Sequence, residues 1–129
     1  MREITGHTVS GDQAVQLSIF AVDDPDPNAG GANHHYTIGV DQLGIGAEAG
    51  NFHMDVHFQY GSIKEHGING ATHEAFAALV IDRLETFQNG THPCYENARA
   101  LACFKDGLEW LQKRTLARIA RGVEGTNAK

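Results

Sequence analysis

The chain has 129 residues, and 10 basic side chains against 16 acidic ones give it a formal charge of −6. Its length sets one domain and its 41% apolar residues support a modest core, while the acidic balance argues against DNA or RNA polymers as partners. A small anion is still within reach of a local arginine cluster, because salt screens distant charge beyond about 8 to 10 Å.

Taken in order, Ile4 to Ser10 can add a short strand, and Ala14 to Val22 alternates Val15, Leu17, Ile19 and Ala21 with Gln16, Ser18, Phe20 and Val22, a β pattern. Asp23 to Asn33 holds two of the three prolines and a Gly-Gly pair, so it is a loop, and a long one. His35 to Val40 gives a second strand with Tyr36, Ile38 and Val40 on one side. After the glycine-rich Asp41 to Gly50, residues Phe52, Met54, Val56, Phe58 and Tyr60 alternate with His53, Asp55, His57 and Gln59, the clearest period-two signal in the chain. Tyr60 to Gly70 contains three glycines and reads as a loop ending at Thr72, a good helix N-cap with Glu74 favourable in the first turn.

From Thr72 the period changes to that of a helix. Phe76, Leu79, Val80, Leu84 and Phe87 fall on one face of a first helix, and Leu101, Phe104, Leu108 and Leu111 keep a seven-residue rhythm on a second. That second stripe continues onto Thr115 and Arg118, turning from apolar to polar and cationic. Asn89-Gly90-Thr91-His92-Pro93 breaks the chain between them, so the helices should be antiparallel neighbours. The expected fold is α+β: a small N-terminal antiparallel β-sheet (1–68) followed by a C-terminal antiparallel α-helical hairpin and tail (69–129), in a single domain. Cys94 and Cys103 lie about nine residues apart on the second helix, roughly 13 Å along its axis, and cannot bridge each other. No apolar stretch resembles a signal peptide or a membrane span, so a soluble cytoplasmic protein is expected.

Three patterns invite a chemical reading. Gly44-Ile45-Gly46-Ala47-Glu48-Ala49 fits the dinucleotide fingerprint formally, but the few residues before the next strand leave no room for a parallel crossover. His53-x-Asp55-x-His57 places three metal-ligand types on one strand face, yet the outer pair spans about 13 Å, too far to share one ion without a strong bend. His34 and His35 point oppositely, so at most one can join such a cluster. No nucleophile context appears, so no metal, cofactor or catalytic constellation is expected. Lys113, Arg114, Arg118 and Arg121 close the second helix with no acidic residue among them; they either complement the helix dipole or, through Arg114 and Arg118 on one face, present guanidinium forks to a pyrophosphate.

The segments Asn69-Gly70-Ala71-Thr72, Val80-Ile81-Asp82-Arg83-Leu84, Phe87-Gln88, Cys94-Tyr95-Glu96-Asn97, Trp110-Leu111, Arg114-Thr115 and Arg121-Gly122-Val123-Glu124-Gly125-Thr126 resemble the helical hairpin of phage anti-defence nucleotide sponges. Two kinds of sponge share that hairpin, the anti-Thoeris sponge of the first type and the anti-CBASS cyclic-oligonucleotide sponge. The β portion with Gly30-Gly31-Ala32-Asn33-His34-His35-Tyr36 is similar to the anti-Thoeris branch. The resemblance implies a non-enzymatic protein of the infected bacterial cytoplasm that sequesters cyclic ADP-ribose isomers, with cyclic di- or trinucleotides at a separate site. It implies dimers that associate further, commonly into hexamers. By position, Phe87 would stack on a base, Asn97 would hydrogen-bond, and Arg114 and Arg118 would hold the diphosphate. Gly31, Asn33 and His34 are candidates for the second site. A metal-dependent phosphodiesterase using His53, Asp55 and His57 is the competing expectation. Tyr95, where the family pattern often carries Arg, and the longer Asn89 to Pro93 turn bear on ligand preference. Asn97 and Arg118 stand roughly 30 Å apart along one helix, so a single mononucleotide-sized ligand touching both requires two antiparallel protomers.

Overall fold

Alternating β segments followed by two amphipathic helices leave the chain two ways to hide apolar surface, and it uses both. The computed structural model describes residues 1–9, 17–40 and 51–126, in two compact units, residues 1–60 and 61–129. The fingerprint-like segment from Gly44 to Ala49 and the expected strand residues Ala14 to Gln16 lie outside the described residues.

The first unit is a four-stranded antiparallel meander in the order β1 (Arg2–Ile4), β2 (Leu17–Ala21), β3 (His35–Val40), β4 (His53–His57). Its register separates two chemistries. Arg2, Ala21, Tyr36 and Val56 form one row across the strands and Ile4, Ile19, Ile38 and Met54 the next, so these side chains share a face. Ala21 and Val56 are buried there, and burial of a side chain such as Val56 stabilises by about 1.5 to 3 kcal/mol. Glu3, Phe20, Thr37 and Asp55 form a row on the other face, flanked by the His35–His57 pair.

The first strand lies earlier than the expected Ile4 to Ser10. It stops at Ile4, because Thr5 begins a turn in which the Thr8 backbone N–H (3.0 Å) and hydroxyl (2.7 Å) both donate to the Thr5 carbonyl. Between β2 and β3, Asp26 caps a 3-10 turn at Pro27–Ala29, its side chain accepting from the Asn28 N–H at 2.9 Å.

The second unit begins with a helical turn, α1 (Ile63–His66), where the glycine density of Tyr60 to Gly70 suggests only loop. Ser62 caps it, accepting from the Glu65 N–H at 3.3 Å, and Ser62-x-x-Glu65 is the capping-box spacing. The Lys64 N–H donates to the Gly125 carbonyl at 3.3 Å, so residues 61–68 belong with the helices rather than with the β portion. Helix α2 (His73–Asn89) starts at Thr72 as expected, with Thr72 Oγ1 accepting from the Ala75 N–H at 3.2 Å. Helix α3 (Tyr95–Ala120) is capped by Cys94, whose Sγ accepts from the Asn97 N–H at 3.4 Å. Both Cys94 and Cys103 are exposed and unbridged.

The two helices pack on each other, and Lys105 Nζ meets Glu85 Oε1 at 2.8 Å across the hairpin. On α3 the half-buried positions Leu101, Leu108, Leu111 and Thr115 lead to the buried Arg118, following the expected stripe, while Phe104 stays exposed. On α2 the packed face is displaced. Ile81 is the buried residue and Ala77, Leu84 and Gln88 are half-buried, whereas Leu79 (68% exposed), Val80 and Phe87 face outward. The apolar set of α2 is wider than one helix can cover, and α3 takes the edge centred on Ile81. At the end of α3, Gly122 at φ +72° lets the chain reverse, with its N–H donating to the Ile119 carbonyl and that of Val123 to the Arg118 carbonyl, both at 3.0 Å. Among the described residues no helix is long and apolar enough to cross a membrane.

Candidate functional site

The turn between α2 and α3 is closed by a reciprocal clasp. Gln88 Nε2 donates to the Cys94 carbonyl and Gln88 Oε1 accepts from the Cys94 N–H, each at 3.1 Å. This clasp brings the last turn of α2 against the first turn of α3. Phe87 and Asn97, paired from sequence at this end of the hairpin, line one hollow of about 230 Å³ together with Val80, Arg83 and Leu84. The Asn97 side-chain amide makes no hydrogen bond among the described residues, so its donors and acceptor are available to a ligand. A larger open hollow of about 600 Å³ shares Phe87 with it and is lined by Leu79, Asp82, Thr86 and His92 among others.

Arg83 is the residue that sequence reasoning did not place here. Its guanidinium carbon lies 5.0 Å from the centroid of the Phe87 ring, and both residues line both hollows. The signal was present as an Arg–Phe pair one helical turn apart, the spacing at which side chains meet on a helix surface.

The other two expected residues occupy the far end of α3. Arg114 is exposed and makes no hydrogen bond or ion pair among the described residues. Arg118 is only 8% exposed and is held within its own chain: Nε donates to Glu124 Oε2 at 3.0 Å, and Nη2 donates to the carbonyls of Val123 (3.0 Å) and Thr126 (3.1 Å). On the same stretch, Lys113 Nζ sits 4.3 Å from the Trp110 ring centroid. Asn97 and Arg118 share the unbroken α3, so their separation of roughly 30 Å within one protomer stands.

In the β unit, Asn33 and His34 are buried and Gly31 is exposed. Asn33 Oδ1 accepts from Arg2 Nη2 at 2.8 Å, and its Nδ2 donates to the Asp23 carbonyl at 2.6 Å. Asp23 also accepts from the His34 N–H at 2.9 Å and the His35 N–H at 3.2 Å. Burial pushes the Asp23 carboxyl up, but these backbone hydrogen bonds and a second one from Asn33 Nδ2, to Asp23 Oδ1 at 3.3 Å, outweigh it and hold the group below its ordinary value. The His34 ring lies 4.2 Å from that of Tyr60, whose hydroxyl donates to Asp26 Oδ2 at 2.6 Å. His34 Nδ1 is buried with no hydrogen-bond partner among the described residues. Gly31 adopts φ +76° and donates its N–H to the Asp26 carbonyl at 2.9 Å.

His53, Asp55 and His57 share one face of β4, as their spacing requires, and the cross-strand neighbour His35 joins them. His35 Nε2 lies 2.8 Å from Asp55 Oδ1, and the His35 and His57 rings stack at 4.3 Å. The hydrogen bond from His35 is the main reason the Asp55 carboxyl titrates below its ordinary value. No group of three His, Cys, Asp or Glu among the described residues is placed to hold a metal ion.

Residues 53–116 match the family model described as the Acb2/Tad1 hairpin domain. The chain carries the hairpin domain of the Acb2/Tad1 family. The matched region runs from β4 through α2 and most of α3, ending at residue 116, and includes Phe87, Asn97 and Arg114 but not Arg118. Over 74 residues the chain is 50% identical to Thoeris anti-defense 1 of Bacillus phage SBSphiJ7, a stretch covering 57% of this chain and 52% of that relative. The chain therefore spans about half the length of the curated relative it matches. Within the Acb2/Tad1 hairpin, the aromatic ring, amide and guanidinium at the turn end and the arginine-bearing far end of α3 are the groups open to chemical interpretation.

Proposed function

We propose that this protein is an anti-Thoeris sponge, binding and sequestering cyclic ADP-ribose signals in the infected bacterial cytoplasm without cleaving them. The observation that carries this reading is the Acb2/Tad1 hairpin with Phe87 and Asn97 lining one hollow at its turn end. An aromatic face and an unengaged amide suit a base, and arginine forks suit a diphosphate. In this reading Phe87 stacks on the base and Asn97 reads a polar edge, while Arg114 and Arg118 of a second protomer hold the diphosphate. The distance along α3 supports that division, since one chain cannot present both ends to a single ligand.

The assembly is then built on dimers and extends to a hexamer. A sponge works by slow release, which an enclosed pocket between subunits favours. A second class of ligand, cyclic di- or trinucleotides, would occupy a separate site shaped by Gly31, Asn33 and His34. There Asp23 fixes Asn33 and His34, leaving backbone shape and the His34 ring to make the contacts.

The test is recovery of the ligand. The protein is incubated with a cyclic ADP-ribose isomer and then heat-denatured, and the supernatant is analysed by mass spectrometry. Intact cyclic nucleotide is the expected result. Recovery of hydrolysed product alone would overturn sequestration, and absence of binding heat with every cyclic ADP-ribose isomer would overturn nucleotide recognition.

A further inference from the structure

We propose that Arg83 is the anion-recognising residue at the turn end of the hairpin, acting beside Phe87 and Asn97 of its own protomer. This deepens the nucleotide-binding reading and rests on it.

Three observations converge. The guanidinium of Arg83 sits 5.0 Å from the Phe87 centroid, inside the roughly 6 Å over which a cation is attracted to an aromatic face. Arg83 is exposed and has no carboxylate partner among the described residues, so its charge is not neutralised locally. The smaller hollow, lined by Val80, Arg83, Leu84, Phe87 and Asn97, has no acidic side chain among its described lining residues, whereas the larger hollow has Asp82. An anion is therefore favoured in the smaller hollow beside Asn97, where Arg83 is the cation among the described lining residues.

Spacing sets how the side chain acts. A flat base between ring and guanidinium needs two contacts of about 3.5 to 4 Å each, more than the present 5.0 Å separation. Without ligand, Arg83 therefore covers the ring face, and a base takes that face only when the guanidinium swings outward. The displaced group then lies on the far side of the base or reaches the phosphate attached to it. Either position selects a ligand that is both planar and anionic. It also gives the turn end a charge of its own, although Arg114 and Arg118 stand at the far end of α3.

The test is calorimetry of the full chain with cyclic ADP-ribose as the probe, at low and at physiological salt. It compares wild type with Arg83→Gln, Arg83→Lys and Phe87→Ala, checking each fold by circular dichroism. Arg83→Gln keeps most of the side-chain length and removes the charge; it should weaken binding about 10- to 100-fold and flatten the salt dependence. Arg83→Lys should keep the salt dependence while recovering only part of the affinity, because it lacks the planar fork. Wild-type affinity and salt dependence in Arg83→Gln, alongside lost binding in Phe87→Ala, would overturn the role of Arg83 and leave the nucleotide reading standing. Failure of the wild-type chain to bind any cyclic ADP-ribose isomer would instead overturn the nucleotide reading and this inference with it.

Discussion

Arg118 Nε donates to Glu124 Oε2 at 3.0 Å, joining the last turn of α3 to the segment that follows Gly122. A ligand diphosphate placed on Arg118 must therefore compete with a carboxylate already there. Glu124→Gln keeps the shape and removes the charge, and we expect it to tighten nucleotide binding several-fold, on the order of 1 kcal/mol. Calorimetry on the two proteins checks this. Unchanged affinity would mean that Arg118 serves the C-terminal turn alone.

Arg118→Ala should carry two penalties. It removes a buried guanidinium that holds at least three acceptors, so the helical unit should lose about 1 to 3 kcal/mol of stability in addition to any loss of binding. Urea denaturation followed through Trp110 fluorescence reports on that unit, because Trp110 is the sole tryptophan.

Arg114→Ala separates binding from folding more cleanly. The side chain is exposed and makes no bond among the described residues, so stability should stay within about 0.5 kcal/mol of wild type. Binding should weaken by about 1.5 to 3 kcal/mol for a lost charged hydrogen bond. A thermal melt paired with a ligand titration tests both halves. Wild-type affinity would assign Arg114 to the solvated helix end.

Phe87→Ala should behave similarly at the turn. The ring is 39% exposed, so truncation removes more ligand contact than core packing. Loss of base stacking is expected to cost about 1 to 3 kcal/mol of affinity. Phe87→Tyr should retain most of it, and a comparable loss in both variants would argue against stacking.

Acid should act on the β unit through Asp23. Its carboxyl titrates below the ordinary aspartate value in the folded state, so ionised Asp23 contributes stability above the unfolded value, and that contribution is lost as pH falls through the folded value. Asp23→Asn should therefore be less stable than wild type near pH 6, with the difference shrinking toward about pH 3. Circular dichroism during urea unfolding at several pH values measures it. A difference that stays constant with pH would assign the effect to geometry rather than charge.

Period-two alternation marked β4, where Val56 is buried between the exposed Asp55 and His57, while β3 is half-buried along its whole length; Thr72 marked the start of α2 because its hydroxyl satisfies an end amide. The placement of Phe87 beside Asn97 was legible too, since a short breaker fixes the ends of a helical hairpin together. The packed edge of α2 was not legible. Leu79, Val80, Ile81, Leu84 and Phe87 span more than one face, and only the position of α3 selects Ile81. The partner of Arg118 was hidden for a related reason: Glu124 reaches it only after the chain reverses at Gly122. The short helix α1 was masked by the surrounding glycines, although Ser62-x-x-Glu65 announced it.

Helix α3 runs 26 residues without a break, while α2 has 17, so α3 exceeds its neighbour by roughly 13 Å. That makes α3 a ruler. Its number of turns fixes the distance between the amide near its start and the guanidinium near its end. Removing a heptad would shorten the span by roughly 10 Å while turning the far end by only about 20°, whereas removing one residue would turn it by about 100°. In an antiparallel pair of protomers this span separates one site from its symmetry mate, so steps of seven residues would change the spacing between sites and leave the chemistry at either end untouched.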